Sequence, residues 1–452
     1  MFSFAGKKMK VMKFGGTSLG NAGMIKKAAA LVECERDCLV VCSAVSGVTD
    51  MLAGLVRKWE NDNLKEREII FVRLMSHFKT ICRELFVSPE EQDCAGDIVN
   101  NHFSLIRGEL NKGFTLSRGK MVMAQGEIIT SRIICLYLNA NGIRVKLLNA
   151  FDFLSTGKGG DPSVNNLRKS LLGLTGKQPA GRYLTQGYIC LDHKGDLSNL
   201  GRGGSDYTAT LAGAALMCDR IEIWTDIDGI RNNDPRIVSE TYPVRKLSFK
   251  EASELAYFGA KILHPECVWP ARRYNIPVHI KKTATPEAPG TIVCSEPGEK
   301  GARAVGAKDG ITAIKIESGR MLSAYGFLSK IFAIFEKFRT PVDVVTTSEV
   351  SVSVTIDKCD SLSPIISLLN ELGEVHVERN LAIVCVVGDV LEKHKGHAVR
   401  ILDSLKPFTV KMISFGGSRN NITIVVPEEE KEEVLNSLNS FLFVANPKYN
   451  VR

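Results

Sequence analysis

The residues with the most chemistry in the shortest space are Gly201-Arg202-Gly203-Gly204-Ser205-Asp206. They read as a glycine-rich turn entering an alanine-rich helix, Tyr207 to Leu216. Arg202 carries a planar fork of donors that suits a carboxylate. Asp206 adds a carboxylate, and either Ser205 or Asp206 is placed to cap the first-turn amides. The glycines permit positive φ and a close backbone approach to a ligand. The helix start contributes the positive end of a dipole. A loop of this kind is also simply a turn before a helix, so its meaning depends on what the chain puts beside it.

A second stretch has related chemistry. Lys10 to Phe14 reads as a buried strand running into Gly15-Gly16-Thr17-Ser18, then a helical pattern from Asn21 to Glu35. Strand, glycine turn and helix present backbone amides to a phosphate. Lys13 stands where its ammonium either reaches over that turn or is solvated at the strand end. The Walker pattern is absent from the chain, and GxGxxG is absent from this turn. Cys38 to Ser43 is another buried strand, followed by small polar residues (Ser46, Gly47, Thr49). Glu127 sits among apolar neighbours and needs a partner, either a neighbouring helix's cation or a ligand. Arg220 to Asp226 is a strand ending in acidic residues and asparagines, suited to magnesium or ribose and equally to plain turns.

The elements that must position these groups alternate between strands and helices, which argues for a parallel α/β sheet. Ligands on such sheets bind beyond the carboxyl ends of the strands. Glu66 to Lys112 is helical with a break at Ser88-Pro89, and reads as scaffold or a substrate lid. Thr115 to Tyr137 is helical, Ile143 to Leu148 and Tyr183 to Ile189 are strands, and Ser248-Phe249-Lys250-Glu251 is a capping box. Thr285 to Arg303 is rich in Pro, Gly and charge and marks a boundary near residue 300. Beyond it the order β-α-β-β-α occurs twice, at about 70 residues per copy, as in ferredoxin-like modules. Predicted strands there are Ile311–Glu317, Val342–Thr346, Val350–Ile356, Leu381–Val387, Val410–Ile413 and Ile422–Val426. The intervening helices are Phe327–Lys337, Ser363–Leu372, Val390–Leu405 and Glu428–Ser440.

Composition narrows the class. The 452 residues are 44% hydrophobic and 24% charged, with a net charge of +8, ordinary for a globular protein of several domains. No like-charge block suggests a nucleic-acid tail. The twelve cysteines form no CxxC framework and read as reduced core thiols of a cytoplasmic protein. No signal-peptide h-region and no membrane-spanning apolar run is apparent.

Four ordered motifs, Lys13 to Ser18, Gly201 to Asp206, Trp224-Thr225-Asp226 and Phe258 to Pro265, together resemble the aspartate kinase family over essentially the whole chain. The second half resembles the paired ACT domains of its monofunctional, lysine-sensitive members. The resemblance implies an amino-acid-kinase fold over 1–300, an open, mostly parallel sheet between helices. Two ferredoxin-like βαββαβ ACT domains follow over 301–380 and 381–452, with a strand near 302–308 able to pair with the second.

The activity the resemblance implies is transfer of phosphate from ATP, with Mg2+, to the side-chain carboxylate of L-aspartate. That is the first step of lysine, threonine and methionine synthesis. Lys13, Asp206 and Lys261 would be catalytic. Ser43, Thr49, Glu127, Arg202, Gly203, Ser205 and Asp206 would hold aspartate. Gly15, Gly16, Ser18, Thr225, Asp226, Arg231, Arg236, Lys261 and Ile262 would join Lys13 around the nucleotide. No metal-ligand cluster is expected. An amino-acid effector, L-lysine, would meet Met321, Gly326, Phe327, Leu328, Val342, Asp343, Ser348 and Glu349, with the chain at least a homodimer or a dimer of dimers through its ACT domains. No nucleic-acid or membrane partner is implied. Two positions depart from the family: Arg231 replaces a tyrosine near the adenine, and Ala324 a serine in the effector segment. The chemistry is coherent, because a carboxylate nucleophile is already ionised near neutrality and needs no general base. Glutamate or N-acetylglutamate kinase activity, and a non-catalytic sensor, are the competing readings. The first is disfavoured by the ACT repeats and the second by the retained Lys13, Asp206 and Lys261.

Overall fold

The computed structural model describes residues 9–176, 180–258, 264–296, 301–321, 325–357, 359–389 and 397–444. Lys261, Ile262 and Ala324, the boundary near residue 300 and the start of the helix expected from Val390 lie outside these residues. The described chain divides into two units, one holding 9–230 and 264–295, the other 231–258, 296 and 301 onward.

The first unit runs β1 (Lys10–Phe14), α1 (Ala22–Glu33), β2 (Cys38–Cys42), α2 (Val48–Glu60), α3 (Leu64–Leu85), α4 (Pro89–Leu110), α5 (Leu116–Ala140), β3 (Lys146–Leu148), α6 (Val164–Thr175), β4 (Arg182–Gln186), β5 (Ile189–Leu191), β6 (Leu197–Asn199), α7 (Gly204–Leu216) and β7 (Ile221–Thr225). The second unit takes β8 (Lys246–Ser248) and α8 (Phe249–Tyr257). The first resumes with α9 (Pro265–Arg273), β9 (Val278–Lys282) and β10 (Thr291–Cys294).

Seven strands of the first unit pair in the order β3-β4-β2-β1-β7-β9-β10. All are parallel except the antiparallel β9–β10 pair. Both central strands, β1 and β2, are buried at every residue, as apolar runs covered on both faces must be. α3 and α4 are scaffold. Phe71 and Phe78 meet Phe103 edge-on across them, and all three belong to the main core. Pro89 at the first helical position marks the expected break. α5 is, by length and composition, apolar enough to cross a membrane, unlike the sequence expectation. Most of its apolar stretch is nevertheless buried within the unit, against α2 and α4.

In the second unit, the remaining strands are β11 (Gly301–Glu317), β12 (Val345–Thr347), β13 (Ser351–Ile356), β14 (Glu374–Asp389), β15 (Met412–Phe415) and β16 (Asn421–Pro427). They make one antiparallel sheet, β12-β13-β11-β14-β16-β15. Helices α10 (Phe327–Lys337), α11 (Leu362–Asn370), α12 (His397–Asp403) and α13 (Lys431–Asn439) complete it. The sequence pattern starts the first of these strands at Ile311. The ladder begins at Gly301 and takes in the strand expected near 302–308, with residues 301–308 paired to 383–389 of the second copy as the resemblance implied. Small residues at Ala302, Ala304 and Ala307 lack the strong alternation that marks a strand in sequence, and register shifts at 302/304 and 308/311 break it further. The two βαββα copies therefore share one sheet while keeping two cores, one around Ile331 and Val354, the other around Ile424 and Leu435.

Candidate active site

Parallel pairing puts the carboxyl ends of β1, β2, β4, β7 and β9 side by side, so the residues after Phe14, Cys42, Gln186, Thr225 and Lys282 share one edge. Backbone bonds stitch the loops there. The amide of Gly15 donates to Trp224 O at 3.0 Å, Ser43 to Phe14 O at 3.1 Å, Ser46 to Gly16 O at 3.1 Å and Gly187 to Cys42 O at 2.8 Å. A Cβ on Gly16 would stand 3.0 Å from Ala44 O, so any larger residue there would press the turn after β1 against the loop after β2.

Lys13 and Asp206 meet at this edge. Lys13 Nζ lies 2.7 Å from Asp206 Oδ1, with side chains 11% and 13% exposed. Asp206 reaches Lys13 because α7 begins one turn earlier than the capping pattern suggests. Gly203, at φ 69°, is the N-cap, and Ser205 and Asp206 fall in the first turn. A Cβ on Gly203 would come 2.8 Å from Cys267 Sγ, so the left-handed glycine replaces a side-chain cap. The first-turn amides of α7 take no side-chain cap, and neither do those of α2, whose N-cap is Gly47. Thr49 is exposed in that first turn of α2, and Ser43 is half-buried. The Arg202 side chain is exposed and has no hydrogen-bond or ion-pair partner among the described residues.

Glu127, in the middle of α5, is 3% exposed. Burial pushes its carboxyl up to about 7, while backbone N–H groups of Glu127 and Ala44 pull it back. Among the described residues no ion pair neutralises it. Val45 N donates to Thr130 Oγ1 at 3.2 Å, and that hydroxyl donates to Gly126 O at 2.7 Å, which holds α5 against the loop after β2. A buried carboxylate aimed at a loop and lacking a counterion is a ready partner for an ammonium.

Other predicted residues have structural tasks that the sequence did not disclose. Ser18 Oγ donates to Trp224 O at 3.0 Å and accepts from Thr283 Oγ1 at 2.7 Å, so its hydroxyl braces β1 to β7. Thr225 Oγ1 donates to Asp226 Oδ1 at 2.9 Å, and Asp226 is otherwise exposed. Ser205 packs on Gly187, where a Cβ would come 2.6 Å from its own Cβ. Burial, then Asp206 and Glu266, push the Cys267 thiol up to about 12, which leaves it inert beneath the loop.

Tyr188 is a site residue that sequence reasoning passed over. It takes φ 68°, a strained value for an aromatic residue. Its amide donates to Thr208 Oγ1 at 3.1 Å, and its ring fills the space a Cβ on Gly204 would need. Burial first, then the Glu127 charge, raises its hydroxyl pKa. Tyr188 thus wedges the start of α7 beside Glu127. Nothing in its type signals this: the sequence pattern runs one strand from Tyr183 to Ile189, whereas β4 stops at Gln186 and β5 begins at Ile189.

Arg231 and Arg236 belong to the second unit. Arg231 Nη2 donates to Thr241 O at 2.6 Å, and Arg236 forks onto Asp234, with Nη2 2.6 Å from Oδ2. The effector residues are also there. Met321 is half-buried, Gly326 caps α10 at φ 77°, Phe327 is buried and Leu328 exposed. Val342 is half-buried and packs on the core of the first copy. Ser348 shapes the β12–β13 turn, its Oγ 2.8 Å from Ser351 Oγ, next to exposed Glu349. Only Asp343 is engaged by charge, with Lys308. Among the described residues no group of three or more His, Cys, Asp or Glu could hold a metal.

Residues 8–282 match the amino acid kinase family, and residues 384–441 match an ACT domain. The chain is 32% identical to the lysine-sensitive aspartokinase 3 of Escherichia coli, covering 96% of this chain and 99% of that one. It is 33% identical to a chloroplastic aspartokinase 1 of Arabidopsis thaliana, over 96% of this chain and 80% of that one. Two solved structures of E. coli aspartokinase III superpose on it. The complex with aspartate and ADP does so with a TM-score of 0.82 at 31% identity, covering 96% of this chain and all of that one. The complex with lysine and aspartate gives 0.78 at 32% identity, over 96% and 99%.

Proposed function

The chain belongs to the aspartokinases of the amino acid kinase family, and we propose that its Lys13–Asp206 pair is a placeholder that the two substrates separate. The reaction is transfer of the γ-phosphoryl group of ATP to the side-chain carboxylate of L-aspartate, giving 4-phospho-L-aspartate and ADP. An oxygen of that carboxylate attacks phosphorus, the bond to the bridging oxygen breaks, and ADP leaves. The nucleophile is ionised at working pH, so the protein must align two anions and offset their repulsion.

Lys13 and Asp206 neutralise each other at 2.7 Å in the structure. With both substrates bound, Lys13 turns to the transferring phosphate and Asp206 accepts from the α-ammonium of aspartate. Glu127 joins Asp206, because an ammonium lowers the cost of ionising its buried carboxyl. Arg202 forks onto the α-carboxylate. Ser43, Thr49, Gly203 and Ser205 line the substrate, while the Gly15-Gly16 turn, Thr225, Asp226, Arg231 and Arg236 serve the nucleotide, with Lys261 and Ile262. Magnesium fits a site without an all-protein cage, since it keeps waters and rides on nucleotide phosphates with one or two carboxylates. Asp226 is the exposed carboxylate suited to it, and the ion would draw negative charge from the phosphates.

A basic amino acid, L-lysine, acts as effector through Asp343 and Glu349. ACT copies that pair across two chains would make the enzyme at least a homodimer, with the kinase portion ending near residue 300. Effector binding shifts the population toward a less competent arrangement. The carrying observation is a buried carboxylate, a lysine–aspartate pair and an unpartnered arginine at one strand edge. A coupled ADP-release assay with ATP, magnesium and either L-aspartate or L-glutamate, with and without millimolar L-lysine, tests it. Aspartate-dependent release that falls with lysine is expected. Release driven by glutamate in preference to aspartate would overturn the assignment.

A further inference from the structure

Asp343 lies before β12, and only 1% of its side chain is exposed. Three groups surround it within the second unit. Tyr257, the last residue of α8, donates its hydroxyl to Asp343 Oδ1. Lys308 Nζ on β11 lies 3.3 and 3.4 Å from the two carboxylate oxygens. The same ammonium lies 2.8 Å from Asp357 Oδ1 and 4.8 Å from the centre of the Tyr257 ring. Asp357, just past β13, has a side chain 56% exposed. The backbone fixes the arrangement, with Asp343 N donating to Thr355 O at 2.8 Å and Val344 N to Thr355 Oγ1 at 2.9 Å.

An external ammonium cannot touch a carboxylate so covered. We propose that Lys308 is a built-in competitor of the effector: its ammonium holds the place on Asp343 that a cationic amino acid takes. This rests on the reading of Asp343 as an effector residue. Asp357 makes the exchange cheap. Displaced from Asp343, Lys308 keeps a carboxylate 2.8 Å away in a solvated position, so no ammonium is left buried and unpaired. Tyr257 is the positioning residue that feels the exchange, because effector binding breaks the bond tying the end of α8 to Asp343. The neighbourhood leaves α8 little other freedom. β11 passes so close that a Cβ on Gly306 would come 2.7 Å from Phe258 O. At the other end, the Ser248–Glu251 capping box pins the helix.

The test is binding of radiolabelled L-lysine to the full-length enzyme by equilibrium dialysis, independent of turnover. Lys308→Met, which keeps the stem and removes the charge, is expected to bind lysine at least tenfold more tightly than wild type. Lys308→Arg, which keeps the cation, stays within about threefold. Tyr257→Phe, which loses only the hydroxyl, binds severalfold more tightly, and lysine then changes its KM for ATP less than it does in wild type. Equal or weaker binding by folded Lys308→Met, with binding abolished in Asp343→Asn, overturns the competitor and leaves the effector reading standing. Binding by Asp343→Asn equal to wild type overturns the effector reading itself. No binding to wild type together with binding to Lys308→Met is the proposal's strongest support, and no binding to either overturns it.

Discussion

Two shielded lysine–aspartate pairs, one in each unit, do different work. Lys13–Asp206 joins a strand end to a helix first turn, beside the glycine turns at Gly15-Gly16 and Gly203-Gly204. Lys308–Asp343 joins two segments of one sheet, is covered by Tyr257, and has a second carboxylate waiting for its lysine. On the proposed reading, substrates would use both members of the first pair, whereas a ligand at the second would use only the carboxylate and leave the lysine to the chain. The same ion pair would then be a catalytic placeholder in one unit and a threshold for binding in the other.

The comparison breaks most readily at the catalytic pair. Asp206→Asn keeps the shape but not the charge, and kcat/KM for aspartate is expected to fall about 10³-fold. Steady-state ADP release measures it, and a loss below tenfold would reduce Asp206 to a structural counterion. Next in size, Gly187→Ala pushes on Ser205, where the added Cβ would meet another at 2.6 Å. Displacing the loop that carries Arg202 and Asp206 is expected to cost about 100-fold in kcat/KM, with the thermal transition moved by only a few degrees.

A third prediction concerns the buried charge without a counterion. Burial raises the folded pKa of Glu127 to about 7, above the ordinary value of 4.5. The native state therefore favours the protonated form, and that advantage is complete below 4.5 and lost as pH rises through about 7. Glu127→Gln escapes the loss, so the unliganded variant should be more stable than wild type at pH 8 by about 2 kcal/mol, and closer to it at pH 5. Its aspartate KM should nevertheless rise. Thermal unfolding at the two pH values checks the first part, and a variant less stable at pH 8 would contradict it. The smallest effect lies in the second unit. Asn439 Oδ1 accepts from Asn232 Nδ2 at 3.1 Å, and its amide donates to Glu240 O at 3.1 Å. Asn439→Ala leaves the buried Asn232 amide unmet, costing about 1–3 kcal/mol. Because the 231–242 segment carries Arg231 and Arg236, KM for ATP should rise more than KM for aspartate.

Much of this was legible in the sequence where local rules decide. Buried apolar runs before Gly15, Ser43 and Asp226 marked parallel strands, and the Ser248–Glu251 box marked the start of α8. What escaped depends on distant partners. Gly203 displaced Ser205 as a cap because Cys267 presses on it. Tyr188 is held at positive φ by Thr208 and the start of α7. The strand near 302–308 was expected from the resemblance, and what escaped was its continuity with Ile311–Glu317 in one ladder. The Lys308–Asp343 pair needs strand register and has no sequence signature at all.

The most direct measurement is aspartate-dependent ADP release by Lys13→Ala, with unfolding temperature recorded on the same sample. If Lys13 serves the moving phosphate as proposed, the enzyme stays folded and kcat falls about 10³-fold while its aspartate KM changes far less. A folded variant retaining more than a tenth of wild-type kcat would contradict it.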